Sequence, residues 1–280
     1  MPELPEVETV RQGLADVLEG QRLVAVSARR PDLRFPIPAD FQSRITGRRV
    51  VSVGRRAKFL LIRLDGDLVL LSHLGMSGSF RIFSGEAPPL QPHDHIELQT
   101  GAGVTVRYHD PRRFGFVDLS AAEDTSVHPM LAKLGPEPLE ANFTGRYLAS
   151  QLRGRATSVK AAILDQRVVA GMGNIYACES LFRAGISPRR TAATVVGKRA
   201  EALVSAIRDV LAQAIGAGGS SLRDHRQPSG ELGYFQHRFA VYGCAGQPCP
   251  GCTCDLASSG GVRRIVQAGR STFYCAKRQR

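Results

Sequence analysis

A chain of 280 residues, 43% of them hydrophobic, is long enough to bury real cores in about two domains. Four of its six cysteines fall between Cys244 and Cys254, too few and too clustered for a disulfide framework, and they read instead as a metal site. The net charge of +12 is lopsided, with 17 Lys/Arg against 18 Asp/Glu in residues 1–142 and 20 against 7 in residues 143–280. Such a basic half points to a polyanionic partner, nucleic acid first, because each phosphate neutralised releases bound counterions. No run reaches the roughly 18–20 apolar residues of a membrane span. The opening MPELPEVETV has acids where a signal peptide has basic and apolar residues, so a soluble, cytoplasmic protein is expected.

In chain order, Leu4, Val7, Leu14 and Leu18 recur at helical spacing behind Glu3 and Glu6, which predicts a helix over residues 4–18. From Leu23 to Leu119 short β-branched or apolar runs take over, among them 50–53, 59–62, 68–71 and 104–106, punctuated by glycine. They predict an antiparallel β-sandwich or barrel. Residues 120–142, rich in Pro, Glu and Asp, read as a hinge. Three-to-four spacing then predicts helices over 144–152, 159–164, 175–182 and 197–215. A Gly/Ser-rich loop follows at 216–233, and residues 239–274 place cysteines around short β-like runs, as in a metal-stapled hairpin. The fold class is α+β, with domains over 1–135, 136–237 and 238–280.

Several residues carry chemistry on their own account. With Met1 removed, Pro2 becomes an N-terminal secondary amine, whose α-amino pKa of about 7.7–8.0 leaves a useful unprotonated fraction near neutrality. Such an amine attacks a carbonyl-type carbon to give an iminium directly, and Glu3 beside it could move protons. Residues 43–63 hold seven basic residues and no acid, a stripe suited to a phosphate backbone, in which Lys58 is the one lysine. Met76 and Phe114 sit in tight turns, Gly75–Gly78 and Arg113–Gly115, rather than in uniform apolar strands, which favours exposed loop tips. Asn174 follows two glycines at a helix start and reads as an N-cap or a phosphate ligand.

The opening Pro2-Glu3-Leu4-Pro5-Glu6-Val7-Glu8-Thr9 resembles the N-terminal signature of the formamidopyrimidine-DNA glycosylase family. Further blocks match in order: Arg55-Arg56-Ala57-Lys58-Phe59-Leu60, His73-Leu74-Gly75-Met76-Ser77-Gly78, Asp110-Pro111-Arg112-Arg113-Phe114-Gly115, Leu134 to Leu139, Gly173-Asn174-Ile175-Tyr176-Ala177 and Gly233-Tyr234-Phe235. The resemblance implies a starting helix on the β-sandwich, a helix–two-turn–helix element around residues 168–183 and a terminal zinc-finger-like β-hairpin. It implies a bifunctional enzyme that flips an oxidised purine, 8-oxoguanine or a formamidopyrimidine, out of double-stranded DNA, excises it and cleaves the strand by β- and δ-elimination. Pro2, Glu3 and Lys58 match its catalytic residues. Met76, Arg112 and Phe114 match the side chains inserted where the nucleotide leaves the stack, with Arg112 reading the orphaned cytosine. His73, His93, Lys160, Asn174 and Arg270 match DNA contacts, and the loop 216–233 matches the segment that closes over the extruded base.

The cysteines depart from that pattern. The family's finger uses two Cys-x-x-Cys pairs; Cys249 and Cys252 supply one, but the other reads Cys275-Ala276-Lys277-Arg278. The resemblance implies one structural zinc on Cys249, Cys252 and Cys275, with Cys254 as the expected fourth thiolate and Cys244 as the alternative. Expected partners are damaged double-stranded DNA and no membrane, for a monomer acting on the bacterial nucleoid. Two rival readings are an endonuclease VIII-like glycosylase for oxidised pyrimidines and a damage-binding protein without catalysis. The Leu4-Pro5 pair with Met76, Arg112 and Phe114 argues against the first, and Pro2, Glu3 and Lys58 against the second.

Overall fold

The structure is a computed structural model that describes residues 2–220, 228, 233–252 and 256–280. The chain divides into two compact units, 1–132 with 217–234, and 133–216 with 235–280. The expected α+β architecture is present: antiparallel sheets first, helices next, a β-hairpin last.

The first unit opens with α1 (Leu4–Leu18), whose Glu3 and Glu6 form a capping box in which the Glu3 N–H donates to Glu6 Oε2 at 2.8 Å. It is followed by β1 (Leu23–Ala28), α2 (Phe41–Ile45), β2 (Val50–Arg56), β3 (Phe59–Leu64), β4 (Leu68–His73), β5 (Ser79–Ser84), β6 (Asp94–Thr100), β7 (Val104–His109) and β8 (Phe116–Ala121). Two four-stranded antiparallel sheets result, ordered β1-β6-β7-β5 and β2-β3-β4-β8. The central strands β3 and β4 read as unbroken apolar runs because both faces are covered; residues 68–72 are all buried. Val7, Val10, Leu14 and Leu18 join Val53, Ile62 and Leu70 from one sheet and Phe80, Leu98 and Val106 from the other in a single core. Burying a side chain of this size contributes about 1.5–3 kcal/mol, so the helix is held by that face rather than by propensity.

The second unit contains α3 (Gly145–Leu152), α4 (Val159–Ile163), α5 (Asn174–Arg183), α6 (Lys198–Gly216), α7 (Leu256–Ser259) and the hairpin β9 (Val262–Gln267) and β10 (Arg270–Cys275). Thr144 and Ser158 cap α3 and α4 through Oγ, accepting from Tyr147 N–H at 3.1 Å and Ala161 N–H at 3.3 Å. The two-residue hairpin turn, Ala268-Gly269, has φ of 48° and 71°, the doubly left-handed pair that matches strand twist, and it delivers Arg270 exposed at the tip. Cys178 and Phe182 of α5 share a buried cluster with Val241, Cys249, Val262 and Cys275, so the hairpin is seated on α5 by apolar packing.

One local expectation is corrected. Asn174 is not the N-cap of α5: Gly173 takes that position and Asn174 is the first helical residue. Its side chain is drawn away by stronger partners, described below.

Candidate active site and nucleic-acid interface

At the start of the first unit, Pro2 and Glu3 are buried at the mouth of α1. Glu6 uses both carboxylate oxygens there. Oε2 accepts the Glu3 N–H, and Oε1 accepts the Ser220 N–H at 2.8 Å and its hydroxyl at 2.9 Å. One side chain therefore fixes the N-terminal segment and the beginning of the 216–233 loop together. Most of that loop, 221–227 and 229–232, lies outside the described residues, but its base is set by the Ser220–Tyr234 bridge. Glycine is required at 233, where a Cβ would stand 2.4 Å from the Gly219 carbonyl oxygen.

Lys58 sits in the two-residue turn between β2 and β3 yet is only 8% exposed. Glu8 accepts from Arg55 Nε at 2.9 Å and Arg55 Nη1 donates to the Ala57 carbonyl at 2.9 Å, which ties α1 to this turn. His73, paired with Phe59 at the end of β4, lies over the Phe59 ring with centroids 4.8 Å apart. Its Nδ1 accepts the Gly75 N–H at 3.0 Å, so the neutral ring carries its proton on Nε2 and keeps a donor there. Burial pushes the His73 pKa from 6.5 down to about 4, helped by the charges of Lys58 and Arg34.

Met76, Arg112 and Phe114 project from two turns that are locked to each other. Met76 and Phe114 are 42% and 43% exposed, as large apolar side chains at loop tips, and Arg112 is exposed beside them. Asp110, fully buried, organises both turns. Its Oδ1 accepts the Ser77 hydroxyl at 2.6 Å, and its Oδ2 accepts the Gly115 N–H at 2.8 Å and the Tyr108 hydroxyl at 3.4 Å. Ser77 Oγ in turn accepts the Arg112 N–H at 3.2 Å. The Asp110 N–H donates to the His93 carbonyl at 3.0 Å, and its own carbonyl faces His95 Nε2 at 2.9 Å. Burial and Asp110 together raise the Tyr108 pKa well above 10, so its hydroxyl stays a donor. Gly75, at φ +60°, lets the first turn approach the second; a Cβ there would be 2.3 Å from the Phe114 carbonyl. The Arg112 guanidinium rests 4.7 Å from the Phe114 ring centre, an interaction worth only about 0.5–1 kcal/mol when exposed and easily surrendered to a better ligand.

In the second unit, Lys160 is 1% exposed and is not a solvated helical lysine. Its Nζ donates to Asn174 Oδ1 at 2.6 Å, Thr272 Oγ1 at 2.7 Å and the Ser271 carbonyl at 3.3 Å, three oxygens without formal charge. Asn174 Nδ2 donates to the Ser271 carbonyl at 3.0 Å and the Tyr242 hydroxyl at 3.4 Å. Asn174, Tyr242 and the strand that begins with Arg270 are thus assembled around one buried ammonium. Glu179 braces the same region, accepting the N–H groups of Ala240, Val241 and Tyr242 at 2.8–3.0 Å. Burial raises its pKa despite those three bonds.

The model of the formamidopyrimidine-DNA glycosylase N-terminal domain matches residues 1–117, and that of the family's H2TH domain matches residues 134–226. The formamidopyrimidine-DNA glycosylase of Rhodospirillum rubrum is 61% identical over 282 residues, covering all of both chains. The chain belongs to the formamidopyrimidine-DNA glycosylase family. Among solved structures, the MutM (Fpg) protein of Thermus thermophilus is 43% identical, with a TM-score of 0.86 over 99% of this chain and 98% of that one. A point mutant of the Lactococcus lactis Fpg, in complex with a Fapy-dG-containing DNA, is 31% identical, with a TM-score of 0.90 over the whole of both chains.

Of the cysteines expected to form the glycosylase family's finger, Cys249, Cys252 and Cys275 converge, with ligand atoms all within 4.8 Å of one another, and could hold a metal ion. Cys254 lies outside the described residues. Cys244 is not part of the group; its thiol faces the Tyr242 carbonyl at 3.6 Å.

Glu6, Asp110, Ser77, Thr272 and Glu179 carry no assignment from sequence, although Ser77 and Asp110 stand inside matched blocks. Arg34 carries none either. Its N–H donates to the Gly115 carbonyl at 3.1 Å and its charge bears on His73, but no local pattern marks it.

The depressed His73 pKa gives a direct check. A histidine whose folded pKa lies below its unfolded value contributes stability that is full above pH 6.5 and is lost as pH falls towards 4. Ring-proton NMR should titrate His73 with a midpoint near pH 4; a midpoint near 6.5 would contradict the buried, Nδ1-accepting ring.

Proposed function

We propose that the chain is a bifunctional DNA glycosylase and AP lyase that excises oxidised purines, 8-oxoguanine and formamidopyrimidines, from double-stranded DNA. The observation that carries this reading is the conjunction, in one family-matched unit, of a buried N-terminal Pro2-Glu3 with Lys58 in a buried turn and Met76, Arg112 and Phe114 on turns locked before DNA arrives. After removal of Met1 the Pro2 amine attacks the sugar C1′ of the flipped nucleotide. The base leaves, the resulting iminium acidifies the C2′ proton, and β- then δ-elimination breaks the strand on either side. Glu3 handles protons at the sugar, and Lys58 places its ammonium beside the phosphate.

Met76 and Phe114 fill the gap, Arg112 hydrogen-bonds the orphaned cytosine, and His73 and His93 contact the backbone. Asn174 and Arg270 grip the phosphates flanking the lesion, with Lys160 acting through Asn174 and β10. The work divides over catalytic (1–135), helical (136–237) and hairpin (238–280) modules. A structural zinc on Cys249, Cys252 and Cys275, with Cys254 as fourth thiolate, would cross-link the hairpin; the three convergent cysteines support that fit. Among the described residues no helix is long and apolar enough to cross a membrane; the setting proposed for the enzyme is a monomer in the bacterial cytoplasm.

Borohydride reduction of the reaction with an 8-oxoguanine:cytosine duplex should trap a covalent adduct that mass spectrometry places on Pro2. An adduct on Lys58, or none despite efficient strand cleavage, would overturn the nucleophile.

Positioning and readout separate by salt. Lys58→Ala, Asn174→Ala and Arg270→Ala should weaken binding to every duplex; the Lys58 and Arg270 variants should also flatten the salt dependence by about one unit of slope for each phosphate no longer neutralised, whereas Asn174→Ala, which removes no charge, should leave the slope unchanged. Arg112→Ala should instead erase the preference for cytosine opposite the lesion; an intact preference would rule out its role.

A further inference from the structure

Arg278 stands where the resemblance expects the finger's fourth cysteine. A guanidinium has no lone pair to offer a metal, so whatever this residue does, it does without ligation. Its Nη1 donates to the Gly251 carbonyl at 2.8 Å, within the turn that carries Cys249 and Cys252. Its Nε faces the Phe182 carbonyl at 3.5 Å, and its guanidinium carbon lies 5.0 Å from the Phe182 ring centre. Phe182 belongs to the last turn of α5, where the macrodipole favours a cation, and its carbonyl also accepts the Gly185 N–H at 3.0 Å. Gly251 admits the approach: a Cβ at that position would lie 2.4 Å from Arg278 Nη1.

The two residues that follow extend the seam. Gln279 Oε1 accepts the Cys275 N–H at 2.8 Å while its Nε2 donates to the Ile186 carbonyl at 2.9 Å. The Arg280 N–H donates to the Gly185 carbonyl at 3.0 Å, and the Arg280 carbonyl accepts the Ser187 N–H at 3.2 Å. The cysteine turn, the end of β10 and the C-terminal end of α5 are therefore joined by protein hydrogen bonds at the place where a fourth ligand would act through metal.

We propose that Arg278 is a metal-independent clamp that seats the hairpin on α5, so that β10 keeps its register with Asn174 and Lys160 when the three-cysteine site holds no ion. The proposal rests on the reading of the hairpin as a metal-binding module that presents Arg270 to DNA. Arg278 is then a positioning residue. Lysine cannot replace it, since an ammonium offers neither the planar fork nor the stacking face.

The test is hydrogen exchange by mass spectrometry over residues 262–275 of the full chain, zinc-loaded and after chelator washing, in the wild type, Arg278→Ala and Arg278→Lys. Wild-type protection should change by less than about threefold on zinc removal, whereas both variants should lose at least about tenfold and regain it when zinc is restored. If the isolated protein binds no zinc, the variants should lose that protection outright. Wild-type protection that collapses on chelation as far as in the variants, or variants that stay protected without metal, would overturn the clamp. DNA affinity measured in parallel separates the two readings. Reduced protection with unchanged affinity would refute the role of Arg270 in DNA binding and leave the clamp standing.

Discussion

A buried carboxylate must have its hydrogen bonds made within the protein, because leaving such a charge without partners costs several kcal/mol. Asp110 turns that requirement into a construction rule. Its donors arrive from Ser77, Tyr108 and Gly115, and its own backbone holds His93 and faces His95. Three loop segments, each carrying residues matched to DNA contacts, therefore cannot move independently: displacing any one strands a buried polar group. The side chains that would enter the duplex are exposed, but the turns beneath them are tied to Asp110 and to each other.

The second unit applies the same logic with the opposite sign. Lys160 is a buried cation whose three donors gather Asn174 from α5 and Ser271 and Thr272 from β10. These three partners are neutral oxygens, and they fix the ammonium between α5 and β10. Glu179 fixes the turn leading to Tyr242, and Arg278 fixes the cysteine turn, so α5 serves as the mounting rail for the whole hairpin. The excess of basic residues after position 142 thus has two parts: exposed guanidiniums, Arg278 at the cysteine turn among them, and the buried Lys160 that gathers α5 and β10.

What is periodic or contiguous is legible in the sequence. The face of α1 is legible because Val7, Leu14 and Leu18 repeat with the helix, and the 50–73 strands because short apolar runs are separated by polar or glycine-containing turns. Phe114 and Met76 are legible as loop tips from the glycines beside them. Asn174 reads as a cap because the glycines before it fit that role equally well, and nothing local shows that Lys160 and Ser271, 14 and 97 residues away, compete for its amide. Asp110 escapes a local reading for a similar reason: its role depends on the pairing of β6 with β7 and on Ser77, 33 residues earlier. A basic residue at 160 looks like surface, since burial of an ammonium is decided by oxygens brought from a distant strand.

The measurement closest to the centre of this account is single-turnover kinetics of Asp110→Asn on two duplexes, one with 8-oxoguanine opposite cytosine and one with a preformed abasic site. Asparagine puts an amide donor where Ser77 or Gly115 now donates, so the two turns should lose their common anchor while the N-terminal amine keeps its place. Excision of the oxidised base should fall by about a hundredfold, as misplacement by about an ångström commonly does, and abasic-site cleavage by far less, in a variant that still melts cooperatively. Unchanged excision, or an equal loss on both substrates, would contradict the claim that Asp110 sets the turns that take the base out of the stack.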